Sequence, residues 1–123
     1  MVYDERLAAR VRESLGAYPG LSEKPMFGGL CFLLNGHMTA GIVGSRLMLR
    51  VGPDEYPAAL ARPHVAEMDF TGRPLKGMIY VDPPGIAGRK ALERWLLRAV
   101  EFAAKLPPKG DRPKPARTSR RIL

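Results

Sequence analysis

The pair Asn35-Gly36 constrains this chain more than any other feature, because it separates two segments that must run in opposite directions. Asn and Gly both tolerate positive φ, which the two-residue type I′ hairpin turn requires. The segment before the pair, Gly29 to Leu34, is apolar and too short for an ordinary helix. The sequence therefore predicts a β-hairpin whose second strand runs from His37 to Val43.

A second turn, Gly44-Ser45, leads into a further strand with clear alternation. Its two sets of side chains are Leu47, Leu49 and Val51 on one face and Arg46, Met48 and Arg50 on the other. A period of two predicts one buried face and one wet face. Other strands are predicted over residues 22–26, 65–70 and 75–81. Pro25 favours an edge position for the first of these, because proline cannot donate to a neighbouring strand.

Amphipathic helices are predicted at both ends of the apolar part of the chain. The first begins after the N-cap Asp4 and ends near Gly16. The last runs over residues 88–105 and carries Trp95 on a broad apolar face, where a core position is favoured over a ligand platform. A short helix is predicted over 53–61. The expected fold is α+β, with two layers: an antiparallel sheet of about five or six strands, and the N- and C-terminal helices packed on one face.

Several of these features follow one another in a familiar order. They are Met26-Phe27-Gly28-Gly29, Phe32-Leu33-Leu34-Asn35-Gly36, the strand Leu47-x-Leu49-x-Val51, the segment from Phe70 to Val81, and Trp95 in the last helix. Together they resemble the N-terminal domain of the TfoX/Sxy family over about residues 3 to 105. The resemblance implies a compact α+β domain. It also implies a stand-alone copy, without the C-terminal domain that the longer competence regulators of this family carry.

Charge divides the chain into two parts. The net charge is +8, but residues 105 to 123 hold seven of the twenty Lys and Arg and one acid, which leaves +6 on that segment and +2 on the rest. After Pro107-Pro108 almost nothing is apolar, so this segment cannot bury enough surface to order itself. We expect residues 1–106 to form the folded domain and residues 107–123 to form a disordered, basic, Pro-rich tail.

No catalytic or metal-binding set stands out in the sequence. Cys31 lies within an apolar strand, where a buried, inert thiol is expected. His37 and His64 alone leave a zinc site of the usual type short of ligands. Glu67 and Asp69 share a strand face, but nothing indicates the shielding that a catalytic carboxyl pair needs. With neither a spanning segment nor a signal peptide visible, we expect a cytoplasmic protein without a cofactor, enzymatic activity or membrane association.

The function that fits best is a small, non-catalytic regulatory or interaction domain that contacts an unidentified protein partner. The open sheet face bearing Arg46, Met48 and Arg50, or an exposed edge strand, could also support a homodimer.

Two alternatives remain. In the first, the tail binds nucleic acid weakly and without sequence preference, through phosphate contacts from Lys109, Arg112, Lys114, Arg117, Arg120 and Arg121. A tail that serves solubility alone explains the same charges. In the second, the protein is a small-ligand binder or an enzyme, with a pocket between the sheet and a helix lined by Arg73, Tyr80 and His64.

Overall fold

The fold is a six-stranded antiparallel sheet with helices against one of its faces. The computed structural model describes residues 3–16, 18–26, 28–69 and 74–106. In chain order the elements are α1 (Glu5–Leu15), β1 (Leu21–Met26), β2 (Gly29–Leu34), β3 (His37–Val43), β4 (Arg46–Arg50), α2 (Tyr56–Leu60), β5 (Val65–Asp69), β6 (Pro74–Val81), a 3-10 helix (Pro83–Ile86) and α3 (Arg89–Ala104). The strands lie in the order β1-β2-β3-β4-β6-β5. The predicted two-layer α+β architecture is confirmed.

The β2–β3 hairpin forms where the sequence predicts it. Asn35 and Gly36 have φ values of 54° and 84°, the pair of positive angles that a type I′ turn needs. The turn sets the register of the hairpin, in which Leu34 faces His37. The N–H of Asn35 also donates to the carbonyl of Gly20 at 3.0 Å, which fastens the turn to the loop before β1.

The first helix begins at a complete N-cap. The carboxylate of Asp4 accepts from the N–H groups of Arg6 and Leu7 at 2.9 and 3.2 Å. These two donors have no partner within the helix, so the side chain supplies one. The N–H of Asp4 donates to the carbonyl of Gly44 at 2.8 Å, which ties the start of α1 to the β3–β4 turn.

The main core lies between the sheet and the helices. Alternate residues of β2 and β4 point into it, among them Phe32 and Leu49, and they meet Val11 of α1 and Leu96 of α3. All four are essentially inaccessible to solvent, and each such side chain stabilises the fold by about 1.5–3 kcal/mol relative to exposure. Trp95 is 6% exposed and belongs to the same cluster, which confirms the core position predicted for it.

The opposite face of the sheet carries a second, smaller core without helical residues. Its buried members are Cys31, Met48, Met68, Met78 and Tyr80. The expectation that the alternate face of β4 is wet is wrong for Met48, which is 1% exposed. The reason lies in the neighbouring strand β3, where Gly41, the residue paired with Met48, has no side chain. A Cβ at Gly41 would lie 2.5 Å from Met48 Cε, so the thioether occupies the space that a larger residue would fill.

A β-bulge in β3 brings one more residue to this face. Phe32 pairs with Ala40, but the next residue, Leu33, pairs with Met38, so Thr39 is an extra residue in the strand. Because side chains alternate along a strand, one extra residue turns Met38 to the face that Leu33 occupies. Thr39 is buried, and its hydroxyl donates to the carbonyl of His37 at 3.0 Å.

Several predicted boundaries shift in the structure. The short helix predicted over 53–61 is reduced to α2, with Pro57 in its first turn, where proline is tolerated. After β6 the chain forms a 3-10 helix, which the sequence did not predict. None of the described helices combines the length and apolar character needed to cross a membrane. The predicted tail, residues 107–123, lies outside the described residues.

Candidate functional site

Every methionine that the structure describes lies on the sheet face without helices. Met26, Met38, Met48, Met68 and Met78 come from five different strands and belong to one cluster, which we call the methionine face. Met48, Met68 and Met78 are buried, whereas Met26 and Met38 are partly exposed. Methionine is unbranched and polarisable, so a surface that contains it adapts to partners of different shape.

A groove of about 590 Å³ opens on the methionine face. Its uncharged lining consists of Met26, Leu33, Gly36, Met38, Gly52, Pro53, Gly77, Met78 and Phe102. The groove therefore extends from the edge strand β1 towards β6 and the end of α3. The bulge at Thr39 contributes directly, since it is what places Met38 in this lining.

The charged lining of the groove has one sign. Lys24, Arg50 and Lys76 border it, and no acidic side chain among the described residues does. None of the three pairs with a described carboxylate. Arg50 lies beside Phe102, with its guanidinium carbon 5.3 Å from the ring centroid. Cations beside apolar walls raise the local positive potential, so the groove suits a ligand with both apolar and negatively charged groups.

Comparison with known proteins identifies the family. The family model described as the TfoX N-terminal domain matches residues 2–103 of the 123-residue chain. The chain belongs to the TfoX N-terminal domain family. The match includes all six strands of this TfoX N-terminal domain and confirms the resemblance in its sequence. No curated protein and no solved structure gives a significant match.

Two of the three residues predicted for a ligand pocket, Tyr80 and His64, lie on opposite sides of the sheet. Tyr80 lies on the methionine face beneath Arg46, whose guanidinium carbon is 4.0 Å from the ring centroid. His64 lies on the other side of the sheet and lines a small cavity with Trp95. Arg73 is outside the described residues. Arg46, at the edge of the methionine face, is engaged by Asp82 at 2.8 Å as well as by Tyr80.

The predicted nucleic-acid contacts of this TfoX N-terminal domain all lie in the undescribed segment. They are Lys109, Arg112, Lys114, Arg117, Arg120 and Arg121. Phosphate binding by the tail therefore stays a prediction.

Cys31 lies on the methionine face but below its surface. Burial raises the pKa of the Cys31 thiol to about 11, and the nearby ammonium of Lys24 opposes this rise only in part. The thiolate is the reactive form, so the described environment makes Cys31 a poor nucleophile. Among the residues that the structure describes, no three His, Cys, Asp or Glu side chains are grouped closely enough to hold a metal ion.

Sequence reasoning recognised Met48 on this face but missed the groove. One available signal is spacing: Met38 and Met48 are ten positions apart in the sequence, and so are Met68 and Met78. Each pair lies on two strands that follow one another in the chain, β3 and β4 for the first pair and β5 and β6 for the second. The bulge that sets the orientation of Met38 has no comparable signal, because residues 38–43 show no clean alternation.

Proposed function

We propose that this TfoX N-terminal domain is a small, non-catalytic regulatory domain that binds a protein partner through the methionine face. One observation carries the proposal: methionines from five strands gather on the sheet face that no described helix covers. A methionine-rich surface can repack against a partner at low cost, as adaptable binding proteins do. The partly exposed Met26 and Met38 would make the first apolar contacts.

The charges of the groove favour one kind of partner. Lys24, Arg50 and Lys76 would face acidic side chains, while the apolar lining between them would receive aliphatic or aromatic ones. Such complementarity speeds association and excludes basic partners. The partner segment is therefore expected to combine Asp or Glu with apolar residues.

The groove lining also supports a binding role over a catalytic one. Among the described residues it offers no carboxylate, imidazole or hydroxyl side chain that could act together with Lys24 or Lys76 as an acid–base or nucleophile–base pair. Its titratable groups are the cations named above.

We would test the proposal with the full chain and two charge-reversal variants, Lys76→Glu in the groove and Arg6→Glu on α1. Both residues are exposed, and each substitution changes the net charge equally. Proteins retained from a lysate of the source cells by the immobilised full chain would be purified, and their affinity for all three chains measured by calorimetry. We expect a partner whose dissociation constant rises about tenfold or more with Lys76→Glu and stays unchanged with Arg6→Glu.

One outcome of this experiment would contradict the proposal. If every retained protein binds Lys76→Glu and Arg6→Glu equally well, the methionine face is not the binding surface. Circular dichroism of both variants would show that the fold is intact in each.

A further inference from the structure

A second cationic cluster lies on the helix-covered side of the domain. Arg62 and His64, from the loop between α2 and β5, face Arg94 and Arg98 of α3 across a cavity of about 130 Å³. Trp95 forms part of the wall. No carboxylate among the described residues lines the cavity. Its size suits one small tetrahedral anion rather than a whole nucleotide.

The indole of Trp95 positions two of these cations. The guanidinium carbons of Arg62 and Arg98 lie 5.7 and 5.1 Å from the centroid of its rings. Trp95 itself is fixed in the main core. Cation–π attraction to a fixed ring restrains the two guanidinium groups, so less side-chain freedom is lost when they bind an anion.

Three of the cations on α3 repel one another. Lys90, Arg94 and Arg98 follow at intervals of four residues, and like charges at this spacing destabilise a helix. Glu55 relieves Arg98 in part, at 3.7 Å. Arg94 and Arg62 have no ion pair with a described carboxylate. The cluster therefore retains positive charge that a bound anion would neutralise.

The backbone holds His64 in an unusual conformation beside this cavity. Its φ of 67° is positive, and apart from Asn35 in the hairpin turn it is the one such non-glycine residue described. The carbonyl of His64 accepts from the N–H of Asp82 at 2.8 Å, which fixes the conformation. Gly85 leaves the necessary room, since a Cβ there would lie 3.1 Å from the Cβ of His64. Backbone strain of this kind is concentrated at binding sites.

We propose that this cluster binds a phosphate group, held chiefly by Arg94 and Arg98, with Arg62 and His64 completing the site. Guanidinium groups match phosphate geometry because each can donate two parallel N–H bonds to its oxygens. Inorganic phosphate and the backbone of a nucleic acid present the same chemistry here. The site is separate from the methionine face, and the proposal does not depend on the function proposed for that face.

Trp95 makes the site directly observable, because it is the single tryptophan of the chain. We would titrate the full chain with inorganic phosphate at constant ionic strength, using chloride as the reference salt, and follow the fluorescence of Trp95. A second titration would use a short mixed-sequence DNA duplex. Both would be repeated with Arg94→Gln and with Arg6→Gln, a matched loss of one exposed arginine on α1.

We expect a saturable change in Trp95 fluorescence whose half-saturation concentration rises about tenfold or more in Arg94→Gln and is unchanged in Arg6→Gln. If only the duplex produces this pattern, the phosphate belongs to nucleic acid and the site still stands. If neither probe gives a saturable change, or if Arg94→Gln responds like Arg6→Gln, the proposal is overturned. The comparison of Arg94→Gln with Arg6→Gln also distinguishes duplex binding at this site from duplex binding by the tail. Arg94→Gln leaves the tail unchanged, so binding by the tail alone would be equal in the two variants.

Discussion

Cys31 illustrates how burial controls the chemistry of one side chain. Burial raises the pKa of its thiol from an ordinary value of 9.0 to about 11. The folded protein thus keeps this proton to higher pH than the unfolded chain does. By linkage, the contribution of Cys31 to stability is intact below pH 9 and is lost as the pH rises towards 11.

We therefore expect the free energy of unfolding to fall more steeply between pH 9 and 11 in the wild type than in Cys31→Ala. Lysines and tyrosines also titrate in this range, so the comparison of the two slopes isolates the thiol. Urea unfolding at a series of pH values, followed by circular dichroism, measures both slopes. Parallel slopes would show that the thiol is not held in its neutral form.

Single residues were predictable from sequence where their structural role is local. The N-cap at Asp4 and the positive φ of Asn35 depend on neighbours within a few positions, and both are found. The placement of Tyr80 and His64 depends instead on which strand pairs with which, and in what register. The β5–β6 pairing contains an irregularity between Glu67 and Asp69, so counting residues along the chain does not give the faces.

At the scale of the element, the N-cap of α1 gives a prediction with a built-in control. Asp4→Ala removes the acceptor of two N–H groups and should lower the free energy of unfolding by about 1 kcal/mol. Asp4→Asn keeps an acceptor and should retain most of this stability. Both are measured by urea unfolding at neutral pH. An Asn variant as unstable as the Ala variant would mean that charge, rather than the hydrogen bonds, matters at this position.

The sequence pattern predicts the bounds of the strands but not the irregularities within them. The bounds of β2 and β3 were predicted within a residue, because turn residues flank both. The bulge at Thr39 was not, although it decides whether Met38 faces the core or the groove. Bulges arise from pairing between strands, and periodicity within one strand does not record them.

At the scale of the whole molecule, the two proposed sites lie on opposite sides of one sheet. The methionine face has an apolar groove with cations at its border, whereas the α3 side has a small cavity among arginines. The family match covers all six strands of this sheet. It does not determine what either surface binds, since function resides in the site and not in the fold. One molecule could therefore engage a protein and a phosphate at the same time.

The charge of the groove also predicts how salt affects self-association, and a homodimer stays a prediction for this protein. A two-fold dimer across the methionine face would bring the cationic set Lys24, Arg50 and Lys76 of one copy close to the same set of its partner. Like charges would then oppose the apolar contact. Salt screens this repulsion, because the Debye length shrinks from about 10 Å at 0.1 M to about 3 Å at 1 M. Self-association across this face should therefore strengthen with salt, whereas binding of an acidic partner should weaken.

Light scattering of the full chain over a salt series tests whether self-association strengthens or weakens as salt is added. We expect a monomer mass at low salt, with any rise in mass confined to high salt. Lys76→Glu should shift that rise to lower salt, because it lowers the net charge of the three groove positions on each copy from +3 to +1, whereas Arg6→Glu should not. A dimer that is stable at low salt and dissociates as salt is added would exclude the methionine face as its interface. The edge strand β1 would then be the surface to examine, even though Pro25 and exposed charged residues protect it from pairing.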